Sequence, residues 1–112
     1  MTSFFDITST LPWPNAIGKR TAVGPLVGAA ESEAISELAR TTPLILVITA
    51  ATAAAHNLAS ELPFFLSDDR EILLVPDWET LPYDNFSPHE DIVSDRLKAL
   101  SRLPTLKSGV VI

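Results

Sequence analysis

Apolar residues fall along this chain in two kinds of run. Leu44-Ile45-Leu46-Val47-Ile48 and Ile72-Leu73-Leu74-Val75 are unbroken, which suits parallel strands covered on both faces. Gly109-Val110-Val111-Ile112 reads as another such strand. Between the first two, Ala55, Leu58, Ala59 and Leu62 stand at i, i+3, i+4 and i+7. That spacing predicts a helix over 52–62, ended or kinked by Pro63. Upstream, Ala30, Ala34, Ile35 and Leu38 lie near one face of a helix predicted over 29–40. Glu31 and Glu33 in its first turn complement the helix dipole. Thr21 to Leu26 reads as a short strand, weakened by Gly24 and Pro25. Residues 1–19 show no sustained period and read as an arm that packs through Phe4, Phe5 and Trp13. Ser67-Asp68-Asp69-Arg70 is a polar turn.

The stretch from Pro76 to Leu103 has two halves. Pro76, Pro82 and Pro88 recur every six residues, and each removes an amide donor and fixes φ, so the first half cannot be a helix interior. It carries Trp78, Tyr83 and Phe86, three of the chain's eight aromatics. A loop holding such residues must pack them or offer them to a partner. The second half reads as a helix, with Ser87 as N-cap, Pro88 at the first helical position and Glu90 closing a capping box. Val93, Leu97 and Leu100 then form one stripe expected to be buried. Strands alternating with helices predict an α/β domain with a parallel sheet and flanking helices. Strand order is not readable.

Composition narrows the function. The chain has 112 residues, 46% of them hydrophobic, enough for one small folded domain. A net charge of −6 disfavours nucleic-acid binding by this chain alone, since phosphate contacts need clustered Lys and Arg. There is no cysteine, hence no disulfide or thiolate metal site, which fits a cytoplasmic protein. No apolar run approaches about 18 residues, so no membrane span or membrane partner is expected. The last apolar run stops at Ile112, and the expectation is an incomplete domain, a piece of a longer protein.

Asp77-Trp78-Glu79-Thr80-Leu81-Pro82-Tyr83-Asp84, then Phe86-Ser87-Pro88-His89, then Ser94-Asp95-Arg96-Leu97, resembles the N-terminal module of bacterial transcription-repair coupling factor (Mfd). Weaker similarity extends over most of residues 20–112, and residues 1–19 carry little of it. The resemblance implies a UvrB-like α/β subdomain over 20–112, P-loop NTPase-like and similar to domain 1a of UvrB, behind an arm over 1–19. It implies a cytoplasmic, ATP-driven DNA translocase as parent, which displaces RNA polymerase stalled at a lesion and recruits the excision nuclease through UvrA. It further implies that the UvrB-like module serves recruitment and autoinhibition. The resemblance places the motor, with its ATP, magnesium and DNA, far beyond residue 112. The expected partners are therefore the rest of the parent chain, with UvrA, RNA polymerase and DNA reached through the parent. The family motif marks Trp78, Glu79, Leu81, Pro82, Tyr83, Asp84, Phe86, Ser87, Pro88, His89 and Arg96 as interaction candidates, with a pinned structural loop as the bland alternative.

The turn after the first expected strand is where a P-loop would sit. A P-loop needs glycines to cradle phosphate, a Lys for the β and γ phosphates, and a Ser or Thr for magnesium. Here it reads Pro25-Leu26-Val27-Gly28-Ala29-Ala30-Glu31-Ser32. Aligned on the working P-loop of UvrB, Gly28 and Ser32 keep their character, Pro25 and Ala30 replace glycines, and Glu31 replaces the lysine. No Lys occurs from Thr21 to Arg40, and a carboxylate would repel triphosphate. The expectation is a degenerate nucleotide site and no cofactor in this chain.

The remaining candidates are bland. His56 and His89, the two histidines, have no second ligand at a metal spacing. Asp84, Glu90, Asp91 and Asp95 lie mostly near a helix start, where acid is favoured without any acid-base role. Arg96, Lys98 and Arg102 interleave with acid and read as a solvated face. No catalytic or metal residue is assigned. Two other readings stay open: the nucleotide-binding domain of a UvrB-type enzyme, which the missing Lys counts against, and a free-standing interaction module.

Overall fold

The computed structural model describes residues 11–14, 16–67 and 69–112. Among the described residues, three helices and three strands follow one another as helix α1 (Ala30–Ala39), strand β1 (Leu44–Leu46), helix α2 (Thr52–Glu61), strand β2 (Ile72–Leu73), helix α3 (Glu90–Arg102) and strand β3 (Gly109–Val111). Short 3-10 turns carrying Pro63 and Pro104 extend α2 and α3, where each proline ends the regular ladder. The sheet is wholly parallel, in the order β1-β3-β2. The fold is thus α/β with a small parallel sheet and flanking helices, as the alternation predicts. No helix of the described residues is long and apolar enough to cross a membrane.

β3 fills the centre because its residues are apolar on both faces. Val110 and Val111 are almost fully buried, and successive side chains of a strand point to opposite faces. On one face Val110 and Ile112 join Ile45 of β1, Leu58 and Leu62 at the end of α2, and Ala39 of α1. The predicted α2 stripe does what its spacing implies, with Leu58 and Leu62 in this core and Ala55 and Ala59 packed against it. Crossovers β1-α2-β2 and β2-α3-β3 run in opposite directions across the sheet, and right-handed connections place their helices on opposite faces. Ala99 of α3 is buried, and so is Leu106 in the turn before β3.

Gly109 opens β3 at φ +134, and a Cβ there would lie 2.2 Å from the Glu71 carbonyl oxygen. That carbonyl accepts from Val110 N at 2.8 Å. Only glycine lets the strand enter this close. Glu71 also takes the forked guanidinium of Arg102, Nε to Oε1 at 3.1 Å and Nη2 to Oε2 at 2.7 Å, so the end of α3 is tied to the start of β2.

Four expectations are corrected. Thr21–Leu26 forms no strand; residues 21–25 are exposed, and Gly24 and Pro25 interrupt a segment that has no ladder to join among the described residues. The cap of α3 is His89, not Ser87: its Nδ1 accepts from Asp91 N at 3.2 Å, and Glu90 is the first helical residue. The capping box therefore does not form, because the helix starts two residues later and Pro88 stays in the incoming loop. The stripe Val93, Leu97, Leu100 is not the buried face of α3. Leu97 and Leu100 are 61% and 48% exposed, whereas Ala99 is 2% exposed. Arg96, on the same side of the helix as Ala99, turns inward to Pro76 and Trp78. The arm's Trp13 is half-buried, while Phe4 and Phe5 lie outside the described residues, as do Asn15 and Asp68.

Candidate functional site

The loop between β2 and α3 is built on one cation. The Arg96 guanidinium lies over the Trp78 ring, 4.4 Å from its centroid, and its Nη1 donates to the Pro76 carbonyl. Arg96 thus fastens both ends of the β2–α3 connection, instead of joining a solvated face. A planar guanidinium stacks on an indole and still keeps its in-plane donors, which an ammonium cannot do.

The tip of the loop is closed separately. Leu81-Pro82-Tyr83-Asp84 forms a turn in which Asp84 N donates to the Leu81 carbonyl at 3.0 Å, and Leu81 N donates to Asp84 Oδ2 at 2.7 Å. Pro82 supplies the φ that the second position of such a turn favours. Glu79 sits at φ 59, a left-handed conformation that costs a non-glycine residue and marks the bend into the tip. The apolar side chains of the tip face water: Leu81 is 71%, Tyr83 97% and Phe86 81% exposed. Trp78, at the base, is less so. The motif residues are therefore brought together as one presented loop, with Ser87 and Pro88 leading to the His89 cap.

Beneath the loop, a groove of about 730 Å³ runs along the carboxyl ends of the strands, lined by Leu46, Ile48, Thr49, His56, Asp77 and Arg96 among others. Ligand sites of open parallel sheets favour this end. Its floor includes the uncovered side of β1 and the segment after it, where Leu44, Leu46 and Ile48 are exposed.

The residues of the expected degenerate phosphate turn lie elsewhere. Gly28 takes φ 63, and Ala30 N donates to Val27 O at 3.3 Å as α1 begins. Among the described residues, no strand precedes the turn. Glu31 is exposed. Ser32 is fully buried, and its hydroxyl donates to Glu61 Oε2 on α2 at 2.7 Å. The remaining acids serve locally: Asp84 closes the tip turn, Glu90 and Asp91 occupy the first turn of α3, and Asp95 lies 3.9 Å from Lys98. Among the described residues, no three His, Asp or Glu side chains gather as a metal site would require.

Sequence reasoning missed three of these relationships. The Leu81–Asp84 clasp was signalled by Pro and Asp at turn positions. The inward Arg96 carried no signal of its own, and neither did the Ser32–Glu61 bond, which joins residues far apart in the chain.

No family model matches the chain. Curated proteins do. It is 40% identical over 100 residues, 88% of its length, to the transcription-repair-coupling factor of Escherichia coli strain K12. It is 43% identical over 89 residues, 79% of its length, to that of Haemophilus influenzae. The corresponding Mycobacterium tuberculosis protein is 48% identical over 68 residues, 61% of this chain. The chain belongs to the transcription-repair coupling factor family. It spans about 8% of the length of the Escherichia coli and Haemophilus influenzae relatives, as an N-terminal module of such a factor.

Proposed function

We propose that this chain works as a non-catalytic protein-contact module of a larger transcription-repair coupling factor. In this reading the parent, a cytoplasmic ATP-driven DNA translocase, displaces RNA polymerase stalled at a lesion and brings in UvrA. ATP, magnesium and DNA are handled by its motor, outside residues 1–112. The module keeps the scaffold of a UvrB-like P-loop domain with a decayed nucleotide site. The observation that carries the reading is the 40% identity over 100 residues to a coupling factor. The phosphate turn supports it: Ser32, aligned with the magnesium-holding position, is buried and bonded to Glu61. No lysine lies between Thr21 and Arg40.

Residues 20–112 can be grafted in place of the matching segment of the Escherichia coli factor. The chimera is expected to displace stalled polymerase and to hydrolyse ATP at the rate of the unaltered factor. An inactive but folded chimera, or one whose ATPase gains a second nucleotide site, would overturn the proposal.

A further inference from the structure

We infer that the tip Glu79–Phe86 docks into an apolar pocket rimmed by Lys and Arg, located in the longer coupling-factor polypeptide outside residues 1–112. The inference rests on the reading that the chain is a module of such a factor. Three observations carry it.

The tip is preorganised. Its turn is closed by two reciprocal hydrogen bonds between Leu81 and Asp84, and its base is held by Arg96 against Trp78 and Pro76. A loop that is already ordered loses little entropy when it binds. Its display is apolar, since Leu81, Tyr83 and Phe86 stand in water. Aromatic anchors of this kind dominate binding when a pocket encloses them. Its surroundings are acidic. Between Glu71 and Asp95 the chain carries Glu71, Asp77, Glu79, Asp84, Glu90, Asp91 and Asp95 and no Lys or Arg. A complementary surface is therefore basic around an apolar centre. Phosphate backbones and anionic lipid surfaces are repelled by the same charge.

A pocket in the same polypeptide is favoured over one in a separate protein. The relatives are some twelve times longer than the matched segment, and tethering raises the effective concentration of a neighbour to about the millimolar range. An exposed apolar tip is covered first by what is tethered to it.

Hydrogen exchange tests this. In the 112-residue chain the amides of Glu79, Thr80, Tyr83, Asn85 and Phe86 have no partner among the described residues and are expected to exchange fast. In the full-length factor carrying this module, the same amides should slow by about 10-fold or more at low salt. Protection should shrink when salt rises from about 0.05 M to about 0.3 M, and should vanish with Tyr83→Ala and Phe86→Ala together or with Asp77→Lys and Glu79→Lys. Protection that ignores salt and both double variants would overturn the basic-rimmed pocket. Equal tip exchange in both proteins, with slower exchange at Leu44, Leu46 and Ile48 in the longer one, would overturn the docking alone and leave the module reading standing. Equal exchange everywhere would overturn both.

Discussion

Ser32 on α1 and Glu61 on α2 are joined by a 2.7 Å hydrogen bond, with Ser32 wholly removed from water. In the proposed reading of a decayed phosphate loop, the serine aligned with the magnesium position is occupied by this contact between α1 and α2. Hydrogen bonds to charged groups contribute about 1.5–3 kcal/mol, and a part-buried carboxylate left without its donor is costly. Ser32→Ala is expected to destabilise the chain by about 1–3 kcal/mol, read from the shift in a urea midpoint. A neutral outcome would show that the bond is idle.

The same bond bears on nucleotide. Opening a magnesium site would require breaking Ser32 away from Glu61, and Glu31 adds a carboxylate where triphosphate needs a cation. Calorimetric titration with magnesium-ATP is expected to show no heat of binding. A dissociation constant tighter than about 1 mM, near −4 kcal/mol, would contradict the decayed site.

Gly109 offers a sharper test of the sheet. Its φ of +134 and the 2.2 Å approach of any Cβ to the Glu71 carbonyl leave no room for a side chain. Relief would pull β3 from β2, since the same carbonyl holds Val110 N. Gly109→Ala is expected to cost about 3 kcal/mol or more, combining a backbone clash with a disfavoured conformation. Unchanged denaturation would mean that the strand enters the sheet differently.

How much of this was legible follows from where each signal lives. Leu44–Ile48 and Ile72–Val75 announced strands because an apolar run needs no context, and Leu58 and Leu62 announced the α2 core by period. The rotation of α3 was not legible. Its apolar spacing fits Val93, Leu97 and Leu100 as well as Ile92, Ala99 and Leu103, and the choice shows in Arg96 reaching Trp78 and in the burial of Ala99. Thr21–Leu26 looked like a strand by local propensity, yet a strand exists only if an edge receives it. The exposed tip was legible as aromatic and acidic, but the Leu81–Asp84 clasp that holds it depends on hydrogen-bond geometry.

The rotation of α3 can be tested by paired truncations. Leu62 is 0% and Leu97 61% exposed. Leu62→Ala should cost about 2–5 kcal/mol, and Leu97→Ala no more than about 0.5 kcal/mol, as at other surface positions. Ala99→Leu should cost about 1–3 kcal/mol through overpacking. Comparable losses at Leu62 and Leu97 would restore the stripe that periodicity first suggests and refute the observed orientation.

The geometry of the loop also decides what it does with damaged DNA. One way for such a loop to probe a lesion would be to extend into a β-hairpin between β2 and α3. A hairpin needs two strands of several residues and a turn. Here the tip turn ends at Asp84, α3 starts at Glu90, and no strand lies between β2 and α3. Asp84, Glu90, Asp91 and Asp95 set negative charge where a duplex would approach, and Arg96, the nearest cation in sequence, is committed to Trp78 and Pro76. The chain is therefore expected to bind lesion-bearing and intact duplexes equally weakly at about 0.15 M salt, where non-specific contacts are screened. Fluorescence anisotropy with the two labelled duplexes measures this. Preferential binding to the lesion duplex, removed by Tyr83→Ala or Phe86→Ala, would show that the exposed aromatics read DNA and not protein.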